Sequence, residues 1–235
     1  MNCWIVLIIL VAGMTLSVWF QKLSMAAAIV GGIIGYSIFM GAGYTGLAIL
    51  TAFFLTGTAA TSWKMNRKKT QGFAESHNGK RMTGQVIANA GVAGGLALVS
   101  WIFPQGRELF IMMIASAFSS ATADTLSSEL GNVYGTRFYN ILSFKKDQKG
   151  LNGVISMEGM LFGIAGSALI AFIYAAGMGF NKNILWIILA GTIGNITDSI
   201  LGATLERRQF LNNNAVNFLN TLAAAAFVYA AHFIS

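Results

Sequence analysis

The chain has 235 residues, 55% of them hydrophobic and 10% charged, with a mean hydropathy of +0.65 and a net charge of +7. A soluble domain is about a quarter charged, so this composition excludes one and describes a protein dissolved in a bilayer. The single Cys3 excludes an internal disulfide and a cysteine metal cluster.

Crossing the hydrocarbon layer takes about 20 apolar residues in a helix. The first such stretch, 3–20, has neither a basic segment before it nor a small-residue cleavage site after it. It therefore reads as a retained helix and not a signal peptide. Two more follow at 24–41 and 44–63, and then a polar segment, Lys64 to Arg81, too short to fold by itself. The remaining spans are expected at 84–103, 108–130, 154–179, 184–204 and 214–234. The fold class is all-α, a polytopic transmembrane helix bundle of 6–8 spans, in which the division of residues 1–63 is the least marked. No repeat or soluble domain interrupts it, so residues 1–235 read as a single integral membrane domain, with N-terminal helices over 1–63 and a motif-bearing core over about 78–226. Twenty-seven glycines and one proline suit closely packed membrane helices.

Charge sets the orientation. With the N-terminus outside, the inner loops collect Lys22, the six basic residues from Lys64 to Arg81, Arg137, Lys145, Lys146, Lys149, Arg207 and Arg208, thirteen of fifteen in all. Only Arg107 and Lys182 fall outside, and the positive-inside rule then puts the basic loops in the cytoplasm. Contact with anionic lipid accounts for such loops as readily as contact with a substrate; nothing points to nucleic acid. A location in the plasma membrane, with the polar face toward the cytoplasm, is the expectation.

Polar residues inside the spans gather at that same end. Gln85 and Asn89 open span four, Asp124 and Glu129 end span five, and Asn152, Ser156 and Glu158 open span six. Asn195, Asp198 and Glu206 end span seven, and Asn212, Asn213, Asn214 and Asn217 open span eight. An acid at membrane depth costs about 2.5–3.5 kcal/mol and normally faces a cavity or a partner. At about 100° per residue, Asn195, Asp198 and Gly202 share one side of span seven, and Asn213, Asn217 and Asn220 one side of span eight. Glu129 points roughly 140° away from Asp124 on a regular helix. Either the helix breaks before Gly131, or the two acids serve different partners.

Acids with nearby amides suit a hard cation, and magnesium is usually held by one or two carboxylates plus substrate phosphates. Asp124, Glu129 and Asp198 supply that ligand class. His77 and His232 stand in different regions with no second ligand beside them, which leaves no zinc site. The glycine-bounded KGLNGVISMEG, Lys149 to Gly159, suits a turn presenting backbone N–H groups and a helix start to phosphate, with Asn152, Gly153 and Ser156 inside it. Asn89, Ser127, Ser128 and Asn220 equally suit hydrogen bonds between helices, and Gly163, Gly166, Gly191 and Gly194 read as helix contacts.

Five motifs stand in order along the chain: NGKRMTGQVIANAGVAG, ATADTLSSELG, GLNGVISMEGMLFGIAGS, GNITDSILGATLERR and NNNAVNFLNTLAA. Together they resemble the integral membrane family that includes the plant phytyl-phosphate kinase of tocopherol synthesis and animal transmembrane protein 19. Leu126 stands where an aromatic is expected, and Asn214 where an acid is frequent, which removes one metal ligand. The resemblance implies a membrane-embedded kinase that moves a phosphoryl group from CTP or a related nucleoside triphosphate to a prenyl monophosphate such as phytyl or geranylgeranyl phosphate. On that reading Mg2+ sits on Asp124, Glu129 and Asp198, the catalytic acids. Lys80, Arg81, Asn89, Lys149, Asn152, Gly153, Ser156, Asn195, Asn213 and Asn217 bind the substrates, with Lys145 and Lys146 also on the correct side. The partners are the lipid substrate, the nucleotide and membrane lipids. A CTP-dependent nucleotidyltransferase making a CDP-activated lipid, and a cation-coupled transporter, are the alternatives.

Overall fold

A computed structural model describes residues 3–72 and 79–234, so His77 and the first residue of the NGKRMTG motif, Asn78, lie outside the described residues. The helices are α1 (Cys3–Trp19), α2 (Met25–Ser62), α3 (Met65–Thr70), α4 (Thr83–Ile102), α5 (Arg107–Tyr134), α6 (Met157–Met178), α7 (Asn183–Leu201) and α8 (Asn213–His232). Polar residues start several of them. The Ser24, Ser156 and Asn212 side chains accept from the backbone N–H groups of Ala27, Gly159 and Ala215, relieving the unpaired first turns of α2, α6 and α8.

Six of the described helices are long and apolar enough to cross a membrane, while the apolar α1 has 17 residues. The longest, the 38-residue α2, is two spans in one run of helix. Gly43 breaks it with φ 65° and ψ −152°, a conformation that glycine adopts without a Cβ penalty. The two arms then lie side by side. A Cβ on Gly35 would meet Leu50 Cδ2 at 3.4 Å and one on Gly46 would meet Ile38 Cγ2 at 2.7 Å, although positions fifteen apart in a continuous helix are roughly 22 Å apart. Phe39 and Tyr44 pack edge to face across the turn, 5.3 Å between centroids. The arms, 25–42 and 44–62, match the spans expected at 24–41 and 44–63.

Long-range contacts fit the eight-span threading. Gly43 lies near Arg107, and Gly177 against Thr45, at one end. At the other, Lys22 Nζ donates to Ser62 Oγ at 2.9 Å and Trp63 Nε1 to Tyr134 Oη at 2.9 Å. Leu23 and Arg81 also bridge there as parallel backbone.

The bundle is organised around α5, which packs against α2, α4, α6, α7 and α8. Its Ile114, Ala117, Phe118 and Ala121 are wholly buried. Close approach follows from small residues, since lipid provides no hydrophobic drive between helices. A methyl group on Gly191 or Gly194 of α7 would overlap Ser119 or Ser120 of α5, and one on Gly163 or Gly166 of α6 would crowd Asn195, Leu126 and Thr122.

Two details differ from the expected spans. Residues 154–155 pair as an antiparallel strand with 139–140, in the register Tyr139 with Ile155 and Asn140 with Val154, so α6 begins only at Met157. And α7 continues beyond Leu201 through a π-helical turn, Gly202–Glu206. The loop residue Gly153, at φ +72°, sits against that turn, where a Cβ would overlap Ala203 Cβ and meet Ser199 O at 2.5 Å.

Candidate functional site

The spans five, seven and eight bring their acids and amides together at the basic end. Asp124 on α5 and Asp198 on α7 hold their carboxyl groups within hydrogen-bond reach of each other. Asn220, fully buried on α8, donates Nδ2 to Asp198 Oδ1 at 2.8 Å, while its Oδ1 accepts from Ser120 Oγ at 3.0 Å. Three helices thereby fix one carboxylate. A second chain of bonds runs along α8: Asn217 Nδ2 donates to Asn213 Oδ1 at 3.2 Å, and Asn213 donates to Glu206 on the π turn. The helical stripe of asparagines therefore faces the acids, and Asn220 is the bond between helices that its position suggested.

These groups line a cavity of about 190 Å³, room for roughly six waters and on the scale of a phosphate chain. Eleven of the thirteen residues singled out in the sequence line it. Arg81 and Asn89 come from the start of α4, Asp124 and Glu129 from α5, and Asn195 and Asp198 from α7. Asn213 and Asn217 come from α8, and the turn before α6 adds Asn152, Gly153 and Ser156. Lys80 and Lys149 are not in the wall. Lys149 instead stands at the mouth, its Nζ 5.6 Å from the centroid of Phe138, a ring that does line the cavity. Asn214 stays out of the wall as well, with its amide against Gly84 of α4. Gln85, Ser127, Ser128, Asn132 and Glu206 belong to the wall and were not among the thirteen.

Glu129 differs in kind from the two aspartates. Helix α5 runs unbroken through Gly131 to Tyr134, so the two acids serve different partners. Glu129 is 7% exposed and forms an ion pair with Lys68, which is 1% exposed. Lys68 Nζ also donates to the carbonyls of Ala60 and Thr61 at 2.9 and 2.8 Å. One ammonium thus ties the end of α2, the short α3 and α5 together, and Glu129 is not grouped with Asp124 and Asp198. Among the described residues no three His, Cys, Asp or Glu side chains come close enough to form a metal cluster. Lys68 had no signal in the sequence beyond membership of a basic segment, in which Lys64, Arg67 and Lys69 are exposed.

Arg81 gives the cavity its cation. Its guanidinium carbon lies 5.1 Å from the centroid of Phe53, beside Gly57 and Thr125. Its backbone is pinned, with Arg81 N donating to Lys22 O at 2.9 Å and Ser24 N to Arg81 O at 3.1 Å. Arg207 braces the opposite wall through Nε to Asn152 O at 2.6 Å and Nη2 to Asp147 Oδ2 at 2.8 Å. That bond to Arg207 is the main reason the Asp147 carboxyl is held below the ordinary carboxylate range. Burial, followed by the nearby Arg67 guanidinium, pushes the Lys149 ammonium pKa down. Ser156 has its hydroxyl occupied as the N-cap of α6 and shapes the wall.

Two adjoining carboxylates, several amides and an arginine in one small cavity form an all-oxygen donor set for a hard cation, next to donors for an anion. The chain matches the family model described as integral membrane protein DUF92 over residues 7–225. It is 34% identical over 186 residues to Protein VTE6, chloroplastic, of Arabidopsis thaliana, which covers 76% of this chain and 56% of the plant protein. It is 32% identical over 197 residues to an uncharacterized membrane protein of Synechocystis sp., covering 83% of this chain and 76% of the other. A membrane protein of Methanocaldococcus jannaschii, also uncharacterized, is 32% identical over 190 residues, covering 81% and 77%. The chain thus spans just over half the length of the plant relative. No solved structure matches it.

Proposed function

The chain belongs to the integral membrane protein family DUF92, and from that premise we propose that it is a prenyl-phosphate kinase of the plasma membrane, working at its cytoplasmic face. The observation that carries the proposal is the Asp124–Asp198 pair at the basic end of the bundle. Two carboxylates in contact repel unless a proton or a cation lies between them, and magnesium is usually held by one or two carboxylates plus substrate phosphates. The donor set fits that ion with Asp124 and Asp198 alone, Glu129 being committed to Lys68. When bound, magnesium neutralises charge on the phosphates of the donor.

The chain's own residues do the remainder. Asn220 orients Asp198, and Asn195, Asn213 and Asn217 offer amides to phosphate oxygens. The turn holding Asn152, Gly153 and Ser156 closes the other wall, locked there by Arg207. Arg81, held against the apolar Phe53, suits the phosphate of a lipid whose tail stays among the helices. An oxygen of the prenyl monophosphate attacks the γ-phosphorus, and the bond to the nucleoside diphosphate breaks as the new P–O bond forms. The attacking oxygen is already ionised, so positioning and charge compensation suffice and no general base is required. The motif resemblance to the plant phytyl-phosphate kinase supports the same class of substrate.

The test is product identity. Purified protein with magnesium, CTP and phytyl or geranylgeranyl monophosphate should yield prenyl diphosphate and CDP, and EDTA should stop it. Pyrophosphate together with a CDP-prenyl product would establish a nucleotidyltransferase instead. Proton- or sodium-dependent uptake into vesicles without turnover of any nucleotide would establish a transporter.

A further inference from the structure

We infer that Arg67 of α3 and Lys149 of the loop before α6 form a second anion site at the mouth of the cavity, which receives the polyphosphate of the soluble substrate. The inference rests on the kinase reading for the identity of the ligand, but its geometry is separate from the carboxylate pair. Lys149 rises beside the cavity-lining ring of Phe138 and donates Nζ to Gln71 Oε1 at 3.3 Å, joining its loop to the residue that ends α3. The Arg67 guanidinium, one turn earlier on the same short helix, stands close enough to bear on the Lys149 charge. An exposed arginine and a half-buried lysine from different elements are therefore brought to the same side of the cavity, where the guanidinium opposes the ammonium charge. A multivalent anion seated between them turns that repulsion into attraction from both sides, and Arg and Lys on separate elements grip more than one phosphate oxygen at once.

Placement divides the labour between the cations. Arg81 sits inside, against Phe53 on the α2 wall, where a lipid phosphate arrives from the bilayer. Arg67 and Lys149 sit outside the cavity wall, where a soluble nucleotide arrives from the cytoplasm. Helix α3 is held in position for this by Lys68, whose ammonium is anchored on Glu129 and on the last carbonyls of α2. The buried pair thus acts as the footing of the outer site, and its neighbour Arg67 is the working cation.

Binding of inorganic tripolyphosphate and of Mg·CTP to the full chain in nanodiscs, measured by isothermal titration, tests the site without relying on turnover. Arg67→Gln and Lys149→Gln should each raise the Kd for both ligands about tenfold, with Arg67→Lys and Lys149→Arg recovering most of the loss. Where turnover is seen, the KM for nucleotide should rise in step, while kcat and the KM for prenyl monophosphate stay within about threefold. Lys182→Gln, which removes the same charge at the far side, should leave Kd unchanged. Equal losses in Lys182→Gln, unchanged Kd in both glutamine variants, or a shift confined to the prenyl monophosphate KM would each overturn the site. Tripolyphosphate binding that weakens in the variants while no phosphoryl transfer occurs would retain the site and remove the kinase; transfer with an unaltered nucleotide KM would do the reverse.

Discussion

Asp124, Asp198 and Glu129 show how differently three acids of one sequence are used. Asp124→Asn and Asp198→Asn keep shape and remove charge, so turnover should fall by about a hundredfold or more while thermal unfolding in detergent stays near that of the wild type. Near-normal turnover in both would remove the metal assignment. Lys68→Met should act on stability instead, because it strands a buried Glu129, and breaking such a pair costs about 3–5 kcal/mol. The double change with Glu129→Gln should recover most of the loss in melting temperature; a double variant as unstable as the single one would contradict the pairing. Asp147 carries an acid-side pH dependence outside the spans. Its folded pKa lies below the ordinary 3.8 because Arg207 donates to it, so the stability this contact adds is present above that value and is lost as pH falls through the lowered one. The advantage of wild type over Asp147→Asn in a melting series should therefore hold at neutral pH and vanish in strong acid. At this scale the sequence made the aspartates legible, since an intramembrane acid demands a reason. It could not single out Lys68, because burial of one lysine among several in a polar loop depends on where α3 folds back.

Among the elements, the spans were legible from hydropathy alone, and even the doubtful division near residue 42 is where the helix turns back. What hydropathy could not reveal is that one residue, Gly43, makes the turn, with a helical arm directly on either side of it. The fate of α5 was open for a different reason: helical geometry separates Asp124 from Glu129, and only their neighbours decide between a break and two partners. The short strand pair and the π turn were invisible, because two-residue strands carry no periodicity and no residue spacing marks the π turn, against which Gly153 packs. That packing is testable. Gly153→Ala combines a positive φ with a clash against Ala203, so it should push the 150–155 loop off α7, lower turnover by about tenfold or more and cost ~1 kcal/mol or more in stability. A variant with unchanged activity and melting would show that the loop does not shape the cavity.

For the whole molecule, the reading of every site residue rests on orientation, and orientation rests on thirteen of fifteen basic residues falling in the loops of one side. With Cys3 replaced, a cysteine at position 146 should react with a membrane-impermeant thiol reagent only in opened cells, and one at 182 in intact cells. The reverse pattern would turn the cavity away from the nucleotide pool. The hairpin at Gly43 carries a consequence for biosynthesis. The connections at the end opposite the basic loops are a single glycine, residues 103–106 and residues 179–182, whereas those at the basic end run over 20–24, 63–82, 135–156 and 207–212. Among the charged residues, only Arg107, Glu108 and Lys182 then have to be carried through the bilayer. With one residue between them, spans two and three have no loop that would let one arm settle before the other, so a tag or epitope inserted at Gly43 should lower the yield of inserted protein more than one placed in the 135–156 loop.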